Sequence, residues 1–171
     1  MRVKIIGYTL LVFIFALLQS TVLDYFKISN VKPNLLMVLI VVVAFQGNNI
    51  EGAILGFFSG LMHDVISGRV IGLYALLGLY LGLCIGSLNK RLYKENIFAV
   101  IFFILVSTVV YEYSVYFFHT VFRNKLELFY PLRHIILPEA LYNSVVSIFI
   151  YIIVYKINEW SETSKRLSRK Y

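Results

Sequence analysis

The sequence predicts an all-α membrane protein of six transmembrane helices, and three observations carry that expectation. Of 171 residues, 60% are hydrophobic and the mean hydropathy is +0.80, well above a soluble domain of this size. The apolar residues fall into six runs separated by short polar turns. Between Ile50 and Leu88 stand eight of the ten glycines, mostly four residues apart. Side chains at i and i+4 share a helix face, so such spacing makes bare strips against which another backbone can lie. Gly52, Gly56 and Gly60 form one strip, and Gly78 and Gly82, with Gly86, form another. Gly68 and Gly72 continue the four-residue step between them, so all are candidates for helix packing or partner binding. The expectation is that one strip is used by the fold and the other is left for a partner.

The first run, Val3 to Leu23, would rise about 31 Å as a helix, enough to cross the hydrocarbon core. Arg2 and Lys4 precede it as in a signal peptide, but the run is long and no A-x-A-like site follows, so a retained helix is predicted. Pro33 opens the second run, which ends near Gln46 and rises only about 21 Å. A helix that short is thinly matched to the bilayer or buried among neighbours. Gly47-Asn48-Asn49 is a turn, followed by Ile50 to Ile66 and Val70 to Leu88 with Ser67-Gly68-Arg69 between them. Ile97 to Phe118 is the fifth run and Pro138 to Tyr155 the sixth, with Trp160 as an interfacial anchor. One transmembrane domain over residues 1–160 and a basic tail over 161–171 are expected.

Six spans put both termini on one side. Arg2, Lys4, Lys90, Arg91, Lys94, Lys156, Lys165, Arg166, Arg169 and Lys170 lie there, against Lys27, Lys32, Arg69, Arg123, Lys125 and Arg133 opposite. The side with more Lys and Arg is predicted to be cytoplasmic. These basic residues flank hydrophobic runs instead of forming one face, which argues against a nucleic-acid footprint.

With that topology the buried polar residues gather in one outer layer: Asp64, Glu112, His119, Arg133, Glu139 and Asn143, with His63, Arg69 and His134 nearby. Glu112 lies about 22 Å along the fifth run from Ile97, and His119 follows seven residues on, on the same face. An ionisable group inside an apolar span is a functional candidate, and it needs a partner. Arg133 or Arg69 is the expected partner of Asp64 or Glu112. Glu139, directly after Pro138, also suits a helix N-terminus.

Catalysis finds little support. Gly56-Phe57-Phe58-Ser59-Gly60 lacks the glycine two residues before Ser59 that a serine elbow requires, and no metalloprotease motif or P-loop is present. Cys84 stands alone in an apolar run, so neither a disulfide nor a cysteine metal cluster is expected. No cofactor or metal site is predicted.

Pro33-Asn34-Leu35-Leu36, Gly56-x-x-x-Gly60-Leu61-x-x-Asp64, Gly68-x-x-x-Gly72-x-x-Ala75-Leu76 and Pro138-Glu139-x-Leu141-Tyr142-Asn143 follow one another in order. Together they resemble the rod shape-determining MreD family, from the second run into the sixth. The first run and the basic tail match only in character. The resemblance implies a multi-pass protein of the bacterial inner (plasma) membrane and a non-enzymatic scaffold of the elongation machinery (elongasome), with a part in cell shape, cell wall biogenesis and peptidoglycan synthesis. It implies as partners an MreC-like bitopic protein, a RodA-type glycosyltransferase with a class B penicillin-binding transpeptidase, MreB-like filaments and membrane lipids. It further implies a likeness to the six-helix substrate-binding subunits of energy-coupling-factor transporters. The alternative is a small-molecule-binding membrane subunit of a transporter, with its site in the outer polar layer.

Overall fold

A computed structural model describes residues 2–27, 31–68, 71–88, 97–121 and 131–168. The basic positions Arg69, Lys90, Arg91, Lys94, Arg123, Lys125, Arg169 and Lys170 lie outside the described residues, as do the side chains of His119, Lys165 and Arg166. Within the described residues the chain forms six α-helices and no strand: α1 (Arg2–Ser20), α2 (Leu35–Gln46), α3 (Asn49–Ser67), α4 (Leu73–Leu88), α5 (Ile97–Val121) and α6 (Leu137–Ser168). A π turn, Leu132–Ile136, leads into α6.

The shortest helix is the axis of the bundle. A helix that is apolar all round belongs inside protein, and Leu35 to Phe45 are all buried. α1, α3, α4, α5 and α6 all pack against it. Its length of about 18 Å therefore needs no match to the bilayer. Asn34 starts it as a side-chain cap, accepting from the Met37 N–H at 3.1 Å. The helix thus begins at Leu35, two residues later than Pro33 suggests. By length and apolarity, Asn49–Ser67, Ile97–Phe118 and Leu132–Ser164 can cross a membrane, while Lys4–Ser20, Leu35–Gln46 and Leu73–Leu88 are shorter apolar helices.

α3 and α4 make the closest approach, and glycine is the reason. A Cβ at Gly56 would strike the Gly78 carbonyl, one at Gly60 the Tyr74 carbonyl, and one at Gly82 the Gly52 carbonyl. A Cβ at Gly52 would also sit 2.6 Å from Ala44 Cβ of α2. The two strips are closed against each other, so neither is left open for an outside helix. This corrects the expectation that one of them faces a partner. Gly68 and Gly72 are not part of the strips either. They lie in the α3–α4 turn at φ +61° and +100°, a backbone region that side chains disfavour, with open space where a Cβ would stand. Four-residue spacing carried the prediction across the turn because it cannot show where a helix stops.

At the bundle end where α2 finishes, polar side chains tie three helices together. The Tyr8 hydroxyl donates to Asn158 Oδ1 at 2.7 Å, Asn158 Nδ2 to Gln46 Oε1 at 3.1 Å, and Gln46 Nε2 to the Tyr151 carbonyl at 3.1 Å. α6 runs 32 residues, about 48 Å, well past Tyr155. The basic segment from Ser161 is therefore helical as far as Ser168.

Candidate functional site

Antiparallel neighbours bring the ends of α1, α3 and α5 together with the starts of α2, α4 and α6, and the lone polar residues of these helices meet there. They surround a cavity of about 530 Å³. Gln19 lines it from α1, Lys32 and Asn34 from the approach to α2, and His63 and Tyr74 from the α3–α4 pair. Glu112 of α5, His134 and Ile135 of the π turn, and Glu139 of α6 close the other side.

Asn143 is buried at the centre of this layer. Its Oδ1 accepts the Asn34 backbone N–H at 2.8 Å, and its Nδ2 donates to Thr108 Oγ1 at 3.1 Å. Asn143 thereby holds α6 to α5 and to the start of α2, where any unpaired amide would be costly in apolar surroundings. Glu112 of α5 and Glu139 of α6 face this same cavity, with Asn34 beside them. On the α1 side, Gln19 Oε1 accepts the Leu36 N–H at 3.3 Å and Gln19 Nε2 lies 3.4 Å from His63 Nε2. The His63 ring stacks on Tyr74 with centroids 4.1 Å apart.

Asp64 has a different task from its neighbour His63. Consecutive residues on a helix diverge by about 100°, so His63 reaches the cavity while Asp64 turns to α4. Asp64 is 1% exposed, and its carboxylate accepts three backbone N–H groups. These are Gly72 at 2.9 Å, Tyr74 at 3.0 Å and Ala75 at 3.2 Å. It caps the start of α4 from another helix, where free N–H groups and the helix dipole both favour an anion. Among the described residues neither Asp64 nor Glu112 forms an ion pair, and Arg133 is exposed on the π turn; the other expected partner, Arg69, lies outside the described residues. Backbone amides take the place of a cation at Asp64.

Lys32 at the rim is held by Asp24 at 2.8 Å and by the Gln19 carbonyl at 3.0 Å. Lys27 also meets Asp24 at 3.0 Å, and these two lysines draw the Asp24 carboxyl below its usual range. The π turn arises at a proline. Pro138 has no N–H and would crowd the carbonyl four residues back, so the wider turn before it, closed by the Leu137 N–H to the Leu132 carbonyl, accommodates the ring. Among the described residues no three His, Cys, Asp or Glu side chains come together as a metal site.

Of the polar layer expected from sequence, the structure gathers Glu112 and Glu139 at the cavity, buries Asn143 and Asp64 beside it, and leaves Arg133 exposed on the π turn. His119 lies outside the described side chains. Sequence reasoning missed Gln19, Lys32, Asn34, Tyr74 and Thr108. Their signal was a single polar residue in or beside an apolar run, which also fits a residue bonded within its own helix, as the Thr108 hydroxyl is to Ile104 at 2.8 Å.

The family described as rod shape-determining protein MreD matches residues 1–159. No curated protein and no solved structure matches the chain. The match spans every described helix from α1 nearly to the end of α6, including both glycine strips, the Asp64 cap and the Glu112–Glu139 cavity. The chain belongs to the rod shape-determining MreD family and has a role in determining rod shape.

Proposed function

We propose that this chain is a non-enzymatic scaffold of the machinery that elongates rod-shaped bacteria. In this reading it lies in the inner membrane with six spans and both termini in the cytoplasm. It binds an MreC-like bitopic protein, and through that contact it helps organise a RodA-type glycosyltransferase, a class B penicillin-binding transpeptidase and MreB-like filaments. The observation that carries the proposal is the family match over residues 1–159, on a chain with three helices, among the described residues, long and apolar enough to cross a membrane. The architecture supports lateral work. Both glycine strips are filled by each other, so an outside helix would meet the larger side chains on the outer faces, such as Phe98, Phe102 and Val106 of α5.

Affinity purification of the tagged chain from native membranes, with proteins identified by mass spectrometry, tests the partner. An MreC-like protein should co-purify in near-stoichiometric amount, and depletion of the chain should round the cells. Absence of that protein, together with normal shape on depletion, would sink the scaffold.

The topology follows from the excess of basic residues on one side. With Cys84 changed to alanine, a cysteine at Lys125 should react with an impermeant thiol reagent on intact spheroplasts. A cysteine at Arg169 should stay unlabelled until the membrane is opened. The reverse pattern rules the orientation out.

A further inference from the structure

We propose that the cavity between Gln19, Asn34, His63, Glu112 and Glu139 binds a polyhydroxylated ring, either a free sugar or cyclitol or the sugar headgroup of a glycolipid. Size and lining lead there. About 530 Å³ is far more than a bare ion needs and lies in the range of small-molecule sites. It also exceeds many times over the share of one water, about 30 Å³. The polar groups around it come from different elements: Gln19 from α1, His63 from α3, Glu112 from α5 and Glu139 from α6, with Asn34 at the start of α2. Walls that are polar on several sides call for contents that form hydrogen bonds, because an unmatched polar group is costly in apolar surroundings.

The kinds of side chain set the chemistry of those contents. Glu112 and Glu139 offer carboxyl groups, Gln19 and Asn34 amides, and His63 an imidazole. A carboxyl only accepts when ionised and also donates when protonated, and a neutral imidazole exchanges the roles of its nitrogens with its tautomer. A hydroxyl both donates and accepts. A ligand with several hydroxyls therefore satisfies this wall whatever protons the acids and the imidazole carry. An ammonium only donates and a carboxylate only accepts, so each matches part of the wall at most. Two of the amides are already set in place by the central helix. Gln19 Oε1 accepts the Leu36 N–H at 3.3 Å, and Asn34 Oδ1 accepts the Met37 N–H at 3.1 Å. Side chains fixed in this way lose little freedom when a ligand arrives. The apolar part of the wall, Val31, Pro33 and Ile135, suits the C–H faces that lie between the hydroxyls of a saturated ring.

The test uses the full chain in nanodiscs of phosphatidylcholine, whose headgroup carries no hydroxyl. myo-Inositol and methyl β-glucoside are the soluble probes. Cyclohexanol, cyclohexylamine and cyclohexanecarboxylate present a ring of the same size with one hydroxyl, an ammonium or a carboxylate. At about ten times its dissociation constant a bound probe should raise Tm by about 3–6 °C, and the three counterparts should not. The shift should saturate with concentration, whereas the general stabilisation by excluded polyols keeps rising. Ile135→Trp, at a half-exposed position on the π turn, should fill the cavity and cancel the shift. Should that variant fail to fold, saturation and the three counterparts decide on the unmodified chain. Glucosyldiacylglycerol added to the nanodiscs distinguishes the sources. A higher Tm with a blunted response to the soluble probes assigns the site to a lipid headgroup, and an undiminished response assigns it to a soluble ligand. The assignment is overturned if neither the polyols nor the glycolipid gives a saturable shift, if any counterpart shifts Tm equally, or if folded Ile135→Trp keeps the full response. Ligand binding and partner capture are separate readouts, so failure here leaves the scaffold standing, and the reverse holds as well.

Discussion

Leucine at Gly56 and Gly78 together will remove most of the folded protein from the membrane. At these positions the obstacle to a side chain is the carbonyl group of the facing helix. A flexible side chain can rotate away from an added methyl, but a carbonyl held in its own helix cannot. The helices must part, and the contact is then lost along Gly52, Gly60 and Gly82 as well. Overpacking a core usually costs about 1–3 kcal/mol per site, and each 1.4 kcal/mol is roughly tenfold in an equilibrium. Abundance measured by fluorescence-detected size exclusion should therefore fall to about a tenth or less. Gly52→Leu with Gly82→Leu should do the same, because both strips belong to one interface. Phe58→Ala, at a position 59% exposed on the outer side of α3, should leave abundance unchanged. Wild-type abundance and a single elution peak for either glycine pair would mean that α3 and α4 do not pack as described.

Asp64→Leu will be nearly as damaging, for an electrostatic reason. It would leave the N–H groups of Gly72, Tyr74 and Ala75 without an acceptor in an apolar setting. Each unsatisfied group costs about 1–3 kcal/mol, so a loss of several kcal/mol is expected. Asp64→Asn keeps one accepting oxygen and nearly the same shape, but loses the second oxygen and the charge that complements the helix dipole. It should melt a few degrees below wild type, while Asp64→Leu should barely accumulate. Thermal melting of the purified variants gives the order directly. If both variants accumulate normally and both lose function, Asp64 acts by titration and not as a cap.

Much of the fold was legible in the chain because a bilayer narrows the choices. Apolar runs must be helices there, alternating direction follows from short turns, and polar residues at alternate run ends must then share one side. That reasoning put Asp64, Glu112, Glu139 and Asn143 at one end of the bundle. The length deficit of the second run already required burial among neighbours, and the structure makes α2 the enclosed axis.

Partner choice was not legible, because it depends on how each helix is rotated and how deep it sits, and sequence period is blind to both. Four-residue spacing shows that Gly56 and Gly60 make a bare strip. Only the packing of α3 on α4 decides that Gly56 meets Gly78 and that no strip remains outside. The same spacing ran through Gly68 and Gly72, which the tertiary structure sets in a turn at positive φ. Asp64 called for a positive partner, and arginine is the residue type that a sequence displays. The free amides at the start of a neighbouring helix are equally positive, yet every residue except proline carries one, so composition cannot point to them. Glu112 of α5 and Glu139 of α6, 27 residues apart in the chain, line the same cavity. Like charges would normally be placed apart when a sequence is read, and only a fold that holds both helices against α2 brings the two carboxyls to one cavity.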